Sequence, residues 1–283
     1  MKKVFKRLFI FFIGFPALLA VVIISPSFIH LPLNILVIVF SVLGAVEFRN
    51  ILAVKNLHIS VPEAALLGAI APVAWTVIMS FGVVRQIVPA AFILGALWLL
   101  VSQVFTSHEK LDSCIGRIAA GLSVMIYPGL FMGWIIRMAA FRQAGMVITV
   151  FFLATFLNDA AALAAGLLFG KKNRGIVAAS PSKSVAGFIG GISASVATAT
   201  LAHIFVPGAF ISPLMPPVCA GIILGLGTGI AATLGDLVES ALKRSAGVKD
   251  SGTLILGRGG ALDSIDSLAL AAPIYTLLYM ILY

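Results

Sequence analysis

Long apolar runs alternate with short polar segments along the whole chain. A helix needs about 20 apolar residues to cross the hydrocarbon core of a bilayer, and nine runs come near that length. The pattern predicts an all-α polytopic membrane protein with about nine transmembrane helices. Boundaries stay open at Pro128 and around Pro213, Pro216 and Pro217. The predicted spans are residues 8–25, 32–48, 62–82, 87–106, 117–136, 144–168, 185–206, 210–232 and 266–283.

One polar segment, directly after the eighth span, follows a helical period. Residues three or four apart share one face of a helix. Leucine, valine and alanine fill most of the other positions of this segment. It therefore predicts a short amphipathic cytoplasmic helix. The polar residues that recur at these intervals are Asp236, Glu239, Ser240 and Lys243.

The residues that follow predict a flexible loop and then the start of the last helix. Because glycine has no side chain, the backbone N–H groups of a glycine-rich loop can approach an anion closely. Asp263 and Asp266 come next, three residues apart, just before the final apolar run. On a first helical turn both carboxylates would face one side, which suits a divalent cation that also binds substrate phosphate. The loop glycines are Gly247, Gly252, Gly257, Gly259 and Gly260.

The composition supports a membrane location and one domain. Of the 283 residues, 61% are hydrophobic and only 10% are charged, with a net charge of +9. Typical soluble domains contain far more charge, and neither a repeat nor a long linker divides the chain. We therefore expect a single integral membrane domain over residues 1–283. Its N-terminal spans lie in 1–143, and the spans and loops that carry candidate chemistry lie in 144–283.

The basic residues predict the orientation. With a cytoplasmic amino terminus, the inner segments contain sixteen lysines and arginines and the outer loops contain only Arg85, Arg137 and Arg142. Cytoplasmic loops carry such an excess. We therefore expect an integral protein of the cytoplasmic (inner) membrane, with a site that faces the cytoplasm. The cations are scattered over short loops, so we expect membrane lipid as a partner and no nucleic acid.

Acidic residues are concentrated near the carboxyl terminus, where five of the ten acidic residues of the chain lie within residues 235–273. Charge is costly close to a bilayer interior. This concentration therefore predicts a site that holds metal ions and phosphates at the membrane surface. The acidic residues are Asp236, Glu239, Asp250, Asp263 and Asp266, and the interleaved cations are Lys243, Arg244, Lys249 and Arg258.

A second polar cluster lies in the middle of the chain. Asn158 and Asp159 interrupt an apolar span, and an ionisable group at that depth indicates function. The alternative is a hydrogen bond between helices, among neighbouring small residues. After this span, a loop of small residues with Lys183 opens the next helix and could hold phosphate. Glu47, at the end of the second span, could contact substrate, although a solvated inner loop is favoured.

The two clusters resemble the signature of phosphatidate cytidylyltransferases, also called CDP-diacylglycerol synthases. The carboxyl-terminal block matches at Ser240, Leu242, Lys243, Arg244, Lys249, Asp250, Gly252, Gly259, Gly260, Asp263 and Asp266, and the run 271–275 resembles the family's ending. The middle block matches at Asn158, Asp159, Gly166, Phe169, Gly170, Lys171, Ser180, Pro181, Lys183 and Gly187. The sequence departs from the family pattern at Leu163, Leu167, Ala186, Leu256, Arg258 and Ser264.

The resemblance implies a reaction in which CTP and phosphatidate give CDP-diacylglycerol and pyrophosphate, as in phospholipid biosynthesis. It also implies a homodimer. The residues expected in catalysis are Asp236, Lys249, Asp250, Asp263 and Asp266, and Mg²⁺ would be held by Asp236, Asp263 and Asp266. The residues expected to bind substrates are Asn158, Asp159, Lys171, Ser180, Lys183, Ser240, Lys243, Arg244 and Arg258.

Two other functions stay compatible with the sequence. The first is a CTP-dependent lipid kinase of the polyprenol type, in which the acceptor is an alcohol and the γ-phosphorus is transferred. The second is a relative that binds lipid and has lost catalytic activity. Isotopic labelling separates them, because only a cytidylyltransferase leaves the α-phosphorus of CTP in the lipid.

Overall fold

The computed structural model describes residues 14–24, 30–255 and 259–283, which form helices and connecting loops. Arg258, one of the predicted substrate-binding residues, lies outside the described residues. The α-helices are α1 (Phe15–Ile24), α2 (Leu31–Ala53), α3 (Val61–Phe81), α4 (Ile87–Val101), α5 (Cys114–Val124), α6 (Phe131–Arg137), α7 (Ala144–Phe169), α8 (Val185–Phe205), α9 (Pro217–Ser245) and α10 (Leu262–Leu282).

Seven helical segments in the described part of the chain are long and apolar enough to cross a membrane. One of them, Leu111–Ala140, combines α5 and α6 with two 3₁₀ turns and a π-helical turn at Pro128. Helices α1 and α4 occupy predicted spans but contain only 10 and 15 residues. The prediction of an all-α polytopic membrane protein is confirmed, and the number of full-length spans found in the described ranges is slightly lower than expected.

The prediction of a separate amphipathic helix is wrong. Helix α9 runs without a break for 29 residues, from Pro217 to Ser245, so the polar segment is the end of a membrane span. Proline is favoured at the first position of a helix, where no N–H is needed. Lys243 and Arg244 lie in the last turn, where positive charge interacts favourably with the helix dipole. These signals explain why the helix starts later and ends later than the apolar run.

The helices group into two compact units, and each is described by itself. The first unit contains residues 1–137 and 245–265, and the second contains residues 138–244 and 266–283. This grouping places the loop between α9 and α10 with the amino-terminal helices. The expectation of a single membrane domain stays a prediction.

Polar contacts connect the helices of the first unit. The hydroxyl of Ser41 on α2 lies 2.8 Å from the carbonyl oxygen of Gly68 and also contacts the carbonyl oxygen of Pro128. Pro128 has no N–H and so cannot continue the helical hydrogen-bond pattern, and a wide helical turn surrounds it. On α3, the buried Glu63 pairs with Arg117 at 3.0 Å.

Close contact between backbones holds the second unit together. Three glycines of α9, spaced four apart, lie against α8: a Cβ added to Gly225 would be 2.4 Å from the Cα of Val196, and Gly221 and Gly229 are similarly placed. Small residues at this spacing let membrane helices approach closely. The fully buried Tyr275 of α10 donates a hydrogen bond to the carbonyl oxygen of Val147 on α7. These contacts fix the four helices that carry the polar residues described next.

Candidate active site

Lys183 and Asp236 form an ion pair in the second unit. Lys183 immediately precedes Ser184, whose hydroxyl accepts a hydrogen bond of 3.1 Å from the N–H of Gly187 and so caps the start of α8. Asp236 lies on α9, nine positions before its last residue, Ser245, in a helix whose last turn carries Lys243 and Arg244. The Nζ of Lys183 contacts the Oδ2 of Asp236. A lysine that the sequence placed in a phosphate loop is therefore paired with a carboxylate predicted to act in catalysis.

Two further carboxylates interact electrostatically with the same ammonium. Burial lowers the pKa of Lys183, and the charges of Asp159 and Asp266 oppose that change. Asp159 comes from α7 and Asp266 from α10, so acidic residues of three helices interact with one lysine. Asp159 also accepts a hydrogen bond of 3.3 Å from the hydroxyl of Ser267. These interactions link Asp159, Lys183, Asp236 and Asp266 within the second unit.

A second ion pair lies one turn further along α9. Glu239 is buried, with 1% of its surface exposed, and pairs with Lys243. Asp266 interacts electrostatically with both of these residues. Glu239 lies on the predicted polar face of this segment, where no role was predicted for it. A signal was present, because Glu239 follows Asp236 by three residues on one helical face.

A close helix contact positions these side chains. A Cβ added to Gly235 would lie 2.3 Å from the carbonyl oxygen of Asp266 and 3.1 Å from the Cα of Ser267. Only glycine allows α9 and α10 to approach this closely, because any side chain would meet backbone atoms. Asp236 and Asp266 are next to the contact in sequence, so their carboxylates converge on the same cluster.

The side chain of Asn158 forms hydrogen bonds between helices. Its side chain is 1% exposed, and its amide nitrogen donates to the hydroxyl of Ser195 and to the carbonyl oxygen of Gly229, both at 3.1 Å. The hydroxyl of Thr233 donates to its amide oxygen at 3.4 Å. These bonds connect α7 with α8 and α9, which matches the interhelical alternative. Contact of Asn158 with substrate stays a prediction.

The cluster carries more negative than positive charge. Four carboxylates (Asp159, Asp236, Glu239 and Asp266) face two lysines (Lys183 and Lys243), which leaves a formal charge of −2. Among the described residues, no group of three or more His, Cys, Asp or Glu side chains is already arranged to hold a metal ion. Mg²⁺ commonly takes one or two carboxylates and completes its shell with water and substrate phosphates. The oxygen donors and the excess negative charge fit such a cation.

Asp263 has different neighbours. Its Oδ2 accepts hydrogen bonds from the backbone N–H of Ser251 at 2.9 Å and of Gly260 at 2.7 Å, and lies 2.8 Å from the hydroxyl of Ser251. All of these donors belong to the first unit. The glycine-rich loop does bring N–H groups close to an anion, and that anion is a carboxylate of the protein. Binding of Mg²⁺ by Asp263 together with Asp236 and Asp266 stays a prediction.

The interpretation of Glu47 as part of a solvated loop is wrong. Helix α2 continues to Ala53, and Glu47 is only 4% exposed. Its Oε2 accepts hydrogen bonds from the N–H of Leu262 at 2.8 Å and from the hydroxyl of Ser251 at 3.0 Å. These partners are more than 200 residues away in sequence, so no local pattern could indicate the contact.

The other predicted site residues are at the surface or partly exposed. Ser180 accepts a backbone hydrogen bond of 3.1 Å from the N–H of Lys183 and so belongs to the turn that presents this lysine. The expected contacts of the others with substrates stay predictions. Lys171, Arg244, Lys249 and Asp250 are exposed, and Ser240 is half-buried.

Comparison with known proteins adds independent information. A family model described as the cytidylyltransferase family matches residues 5–282. An uncharacterized protein of Escherichia coli, YnbB, is 35% identical over 162 residues, which cover 52% of this chain and 51% of that protein. The phosphatidate cytidylyltransferase of Haemophilus influenzae is 40% identical over 129 residues, which cover 45% of this chain and 43% of the relative.

A third relative has a similar degree of identity over a similar length. The phosphatidate cytidylyltransferase of Staphylococcus saprophyticus is 39% identical over 138 residues, or 48% of this chain and 50% of the relative. The aligned part of the chain therefore spans about half the length of these curated relatives. The family match, in contrast, covers nearly the whole chain.

Proposed function

This chain belongs to the cytidylyltransferase family, and we propose that it transfers the cytidylyl group of CTP to phosphatidate. The products would be CDP-diacylglycerol and pyrophosphate. Two of the similar proteins are named phosphatidate cytidylyltransferase. The membrane-spanning helices suit a lipid substrate whose acyl chains stay in the bilayer.

One observation carries the proposal: Lys183 lies among the carboxylates of Asp159, Asp236 and Asp266. A nucleotidyl transfer requires close positioning of phosphates and compensation of their charge. A cluster that contains both ammonium and carboxylate groups can do both, because the lysines attract phosphate oxygens and the carboxylates attract a cation.

The lysines and the carboxylates of the cluster would have different roles in the reaction. Lys183 and Lys243 would bind phosphate oxygens by charge-assisted hydrogen bonds. Asp266 and Asp236 would hold Mg²⁺, with Asp159 close by, and the phosphates of CTP would supply further ligands. When bound, this cation would withdraw charge from the α-phosphorus and stabilise the leaving pyrophosphate. Roles for Asp263, Asp250 and Lys249 are expected from the family resemblance.

The reaction balances without water or an oxidant. An oxygen of the phosphatidate phosphate attacks the α-phosphorus of CTP, and a new P–O–P bond forms. The bond between the α-phosphorus and the oxygen that bridges to the β-phosphorus breaks, and its electron pair leaves with pyrophosphate. Lys183 needs only to stay charged beside the phosphates, because no proton transfer to carbon or nitrogen is required.

We place the site at the cytoplasmic face of the inner membrane, where CTP is available. The segment between α7 and α8 contains Lys171, Lys172, Arg174 and Lys183. Such an excess of positive charge is typical of cytoplasmic loops. A homodimer is part of the same expectation from the family.

The test supplies the purified protein with Mg²⁺ and CTP labelled at either the α- or the γ-phosphorus, together with phosphatidate or, in parallel, a polyprenol. A cytidylyltransferase incorporates the α label into lipid and releases the γ label as pyrophosphate. Transfer of the γ label to a lipid alcohol would instead establish a kinase. If neither label enters any lipid, the proposed reaction is wrong and a lipid-binding relative is favoured.

A matched pair of variants connects the activity to the cluster. Asp266→Asn removes the charge of a clustered carboxylate and should lower turnover by about 100-fold or more, the range for loss of a group that stabilises charge in a transition state. Asp112→Asn changes an exposed carboxylate of the first unit and should leave turnover unchanged. Equal activity of both variants would contradict the assignment.

A further inference from the structure

Glu47 is a buried acid that the proposed reaction does not use. It lies on helix α2 in the first unit, with 4% of its surface exposed. Its Oε2 receives the N–H of Leu262, the first residue of α10, and the hydroxyl of Ser251. The same oxygen therefore binds one residue within the loop that precedes α10 and the first residue of α10 itself. We call the described loop residues 246–255 and 259–261 the glycine loop.

Ser251 passes this contact on to Asp263. Its hydroxyl lies 3.0 Å from Glu47 and 2.8 Å from Asp263, and its backbone N–H also donates to Asp263. A serine hydroxyl has one proton to donate, so it can serve only one carboxylate at a time. The position of Asp263 is thereby coupled to the position of Glu47 through a single side chain.

Two glycines of the loop fit around the Glu47 carboxylate. A Cβ added to Gly252 would lie 2.3 Å from Oε1, and one added to Gly260 would lie 2.2 Å from Oε2. Both contacts are far shorter than real side chains make, so alanine at either position would displace the acid or the loop. Neither residue has a left-handed backbone conformation. The requirement for glycine therefore comes from contact with Glu47 at Gly252, and from contact with Glu47 and the Ser251 hydroxyl at Gly260.

We propose that Glu47 is a positioning residue, which sets the conformation of the glycine loop and the start of α10 for nucleotidyl transfer. This inference rests on the proposed function, because the glycine loop carries Lys249, Asp250 and the turn that holds Asp263. Glu47 itself would touch neither CTP nor lipid. It acts by accepting the hydrogen bonds of Leu262 and Ser251. Without this acceptor the buried N–H of Leu262 would lose its partner.

The chemistry of the contact predicts which substitutions are tolerated. Both hydrogen bonds go to one oxygen, and the other, Oε1, is buried without a hydrogen-bond partner among the described residues. The amide oxygen of glutamine can accept the same two bonds. Glu47→Gln should therefore keep kcat/KM within about threefold of the wild type, whereas Glu47→Ala should lower it by about 30-fold or more, since it removes both bonds and leaves a cavity.

A matched control separates positioning from general stability. Glu63→Ala also removes a buried acid of the first unit, together with its ion pair to Arg117. It should lower the melting temperature at least as much as Glu47→Ala. Assayed well below the melting temperature, however, it should leave kcat/KM nearly unchanged. An equal loss of activity in both variants would overturn the proposed role of Glu47.

A double-mutant cycle tests the contact itself. Gly252→Ala should lower activity strongly in the wild type and in Glu47→Gln, because both side chains fill the space beside residue 252. In the Glu47→Ala background the clash is absent. Gly252→Ala should then lower activity by less than a further factor of about three. Additive losses would contradict the contact.

Hydrogen exchange gives a readout that does not depend on activity. Amide exchange in residues 249–255 and 259–263 should be slow in the wild type and in Glu47→Gln, and fast in Glu47→Ala. Unchanged exchange in Glu47→Ala overturns the inference, as does faster exchange without loss of turnover. A wild type that transfers no label to lipid overturns the proposed function, and exchange then still decides whether Glu47 sets the loop.

Discussion

Lys183 lies beside carboxylates from three different helices, and it shows how a single residue connects the elements of the site. Lys183→Met keeps the length of the side chain and removes its charge. We expect kcat/KM for CTP to fall by about 100-fold, or about 2.7 kcal/mol of transition-state stabilisation. The loss has two causes: phosphate loses a cation, and Asp236 loses its partner. Steady-state kinetics with varied CTP measure the effect.

The matched control for this variant is Lys172→Met. Lys172 lies in the same loop, is exposed and precedes Lys183 by eleven positions. Surface charges contribute little to a distant site, since water and salt screen them. Lys172→Met should therefore leave kcat/KM close to that of the wild type. If the two variants behaved alike, the effect of Lys183 would be one of general loop charge.

His30 gives a prediction for pH. It is 4% exposed, and burial lowers its pKa below the ordinary value of 6.5, although a backbone hydrogen bond with Val22 opposes that change. Between the lowered folded pKa and 6.5 the unfolded chain binds more protons than the folded one, so the free energy of unfolding rises with pH in that window. The contribution of His30 to the free energy of unfolding is fully present above pH 6.5 and is lost as the pH falls through its lowered pKa.

The variant that tests this is His30→Asn. His30 has a left-handed backbone conformation, with φ of 54°, and asparagine adopts that conformation more readily than most residues. The melting temperature of the wild type should drop between pH 7 and pH 5 more than that of His30→Asn. His58→Asn, at an exposed position, should keep the pH dependence of the wild type. The same slope in all three proteins would refute the role of His30.

At the scale of elements, Gly235 determines how closely α9 and α10 approach. Gly235→Ala would place a methyl group 2.3 Å from a backbone carbonyl oxygen, so the helices must separate. Because Asp236 and Asp266 are adjacent to this contact, we expect activity to fall by about 100-fold, as small misplacements in an active site do. Turnover of CTP and the melting temperature, measured on the same preparation, show the effect.

Gly227 on the same helix provides the control. A Cβ there would meet the end of the Leu278 side chain, also at 2.3 Å. A leucine side chain can change rotamer, whereas a backbone cannot move without moving its helix. Gly227→Ala should therefore lower stability modestly and retain most activity. A larger loss of activity from Gly227→Ala than from Gly235→Ala would contradict this account of the site.

The sequence predicted the elements better than their contacts. Apolar length located the spans, and helical spacing correctly put Asp236 with Lys243 on one face and Asp263 with Asp266 at the start of α10. It failed where apolar length and helix length differ, because α9 continues beyond its apolar part to Ser245. It also could not find the partners of Glu47, since packing brings together residues more than 200 positions apart.

At the scale of the whole molecule, charge predicts orientation in the membrane. Helix α8 has 21 residues, long enough to cross once, so we expect the segments at its two ends on opposite sides. The segment before it contains Lys171, Lys172, Arg174 and Lys183, and the segment after it, residues 206–216, contains no lysine or arginine. The segment before α8 should therefore face the cytoplasm, on the side where CTP would reach Lys183.

Cysteine labelling tests this orientation. The two natural cysteines, Cys114 and Cys219, are first replaced by alanine. Lys172→Cys and Leu214→Cys then introduce one thiol each at exposed positions on either side of α8. In intact spheroplasts, a membrane-impermeant maleimide should label Leu214→Cys and not Lys172→Cys, and lysis should make both reactive. The reverse pattern would put Lys183 on the side without nucleotide and would rule out CTP as the substrate in the cell.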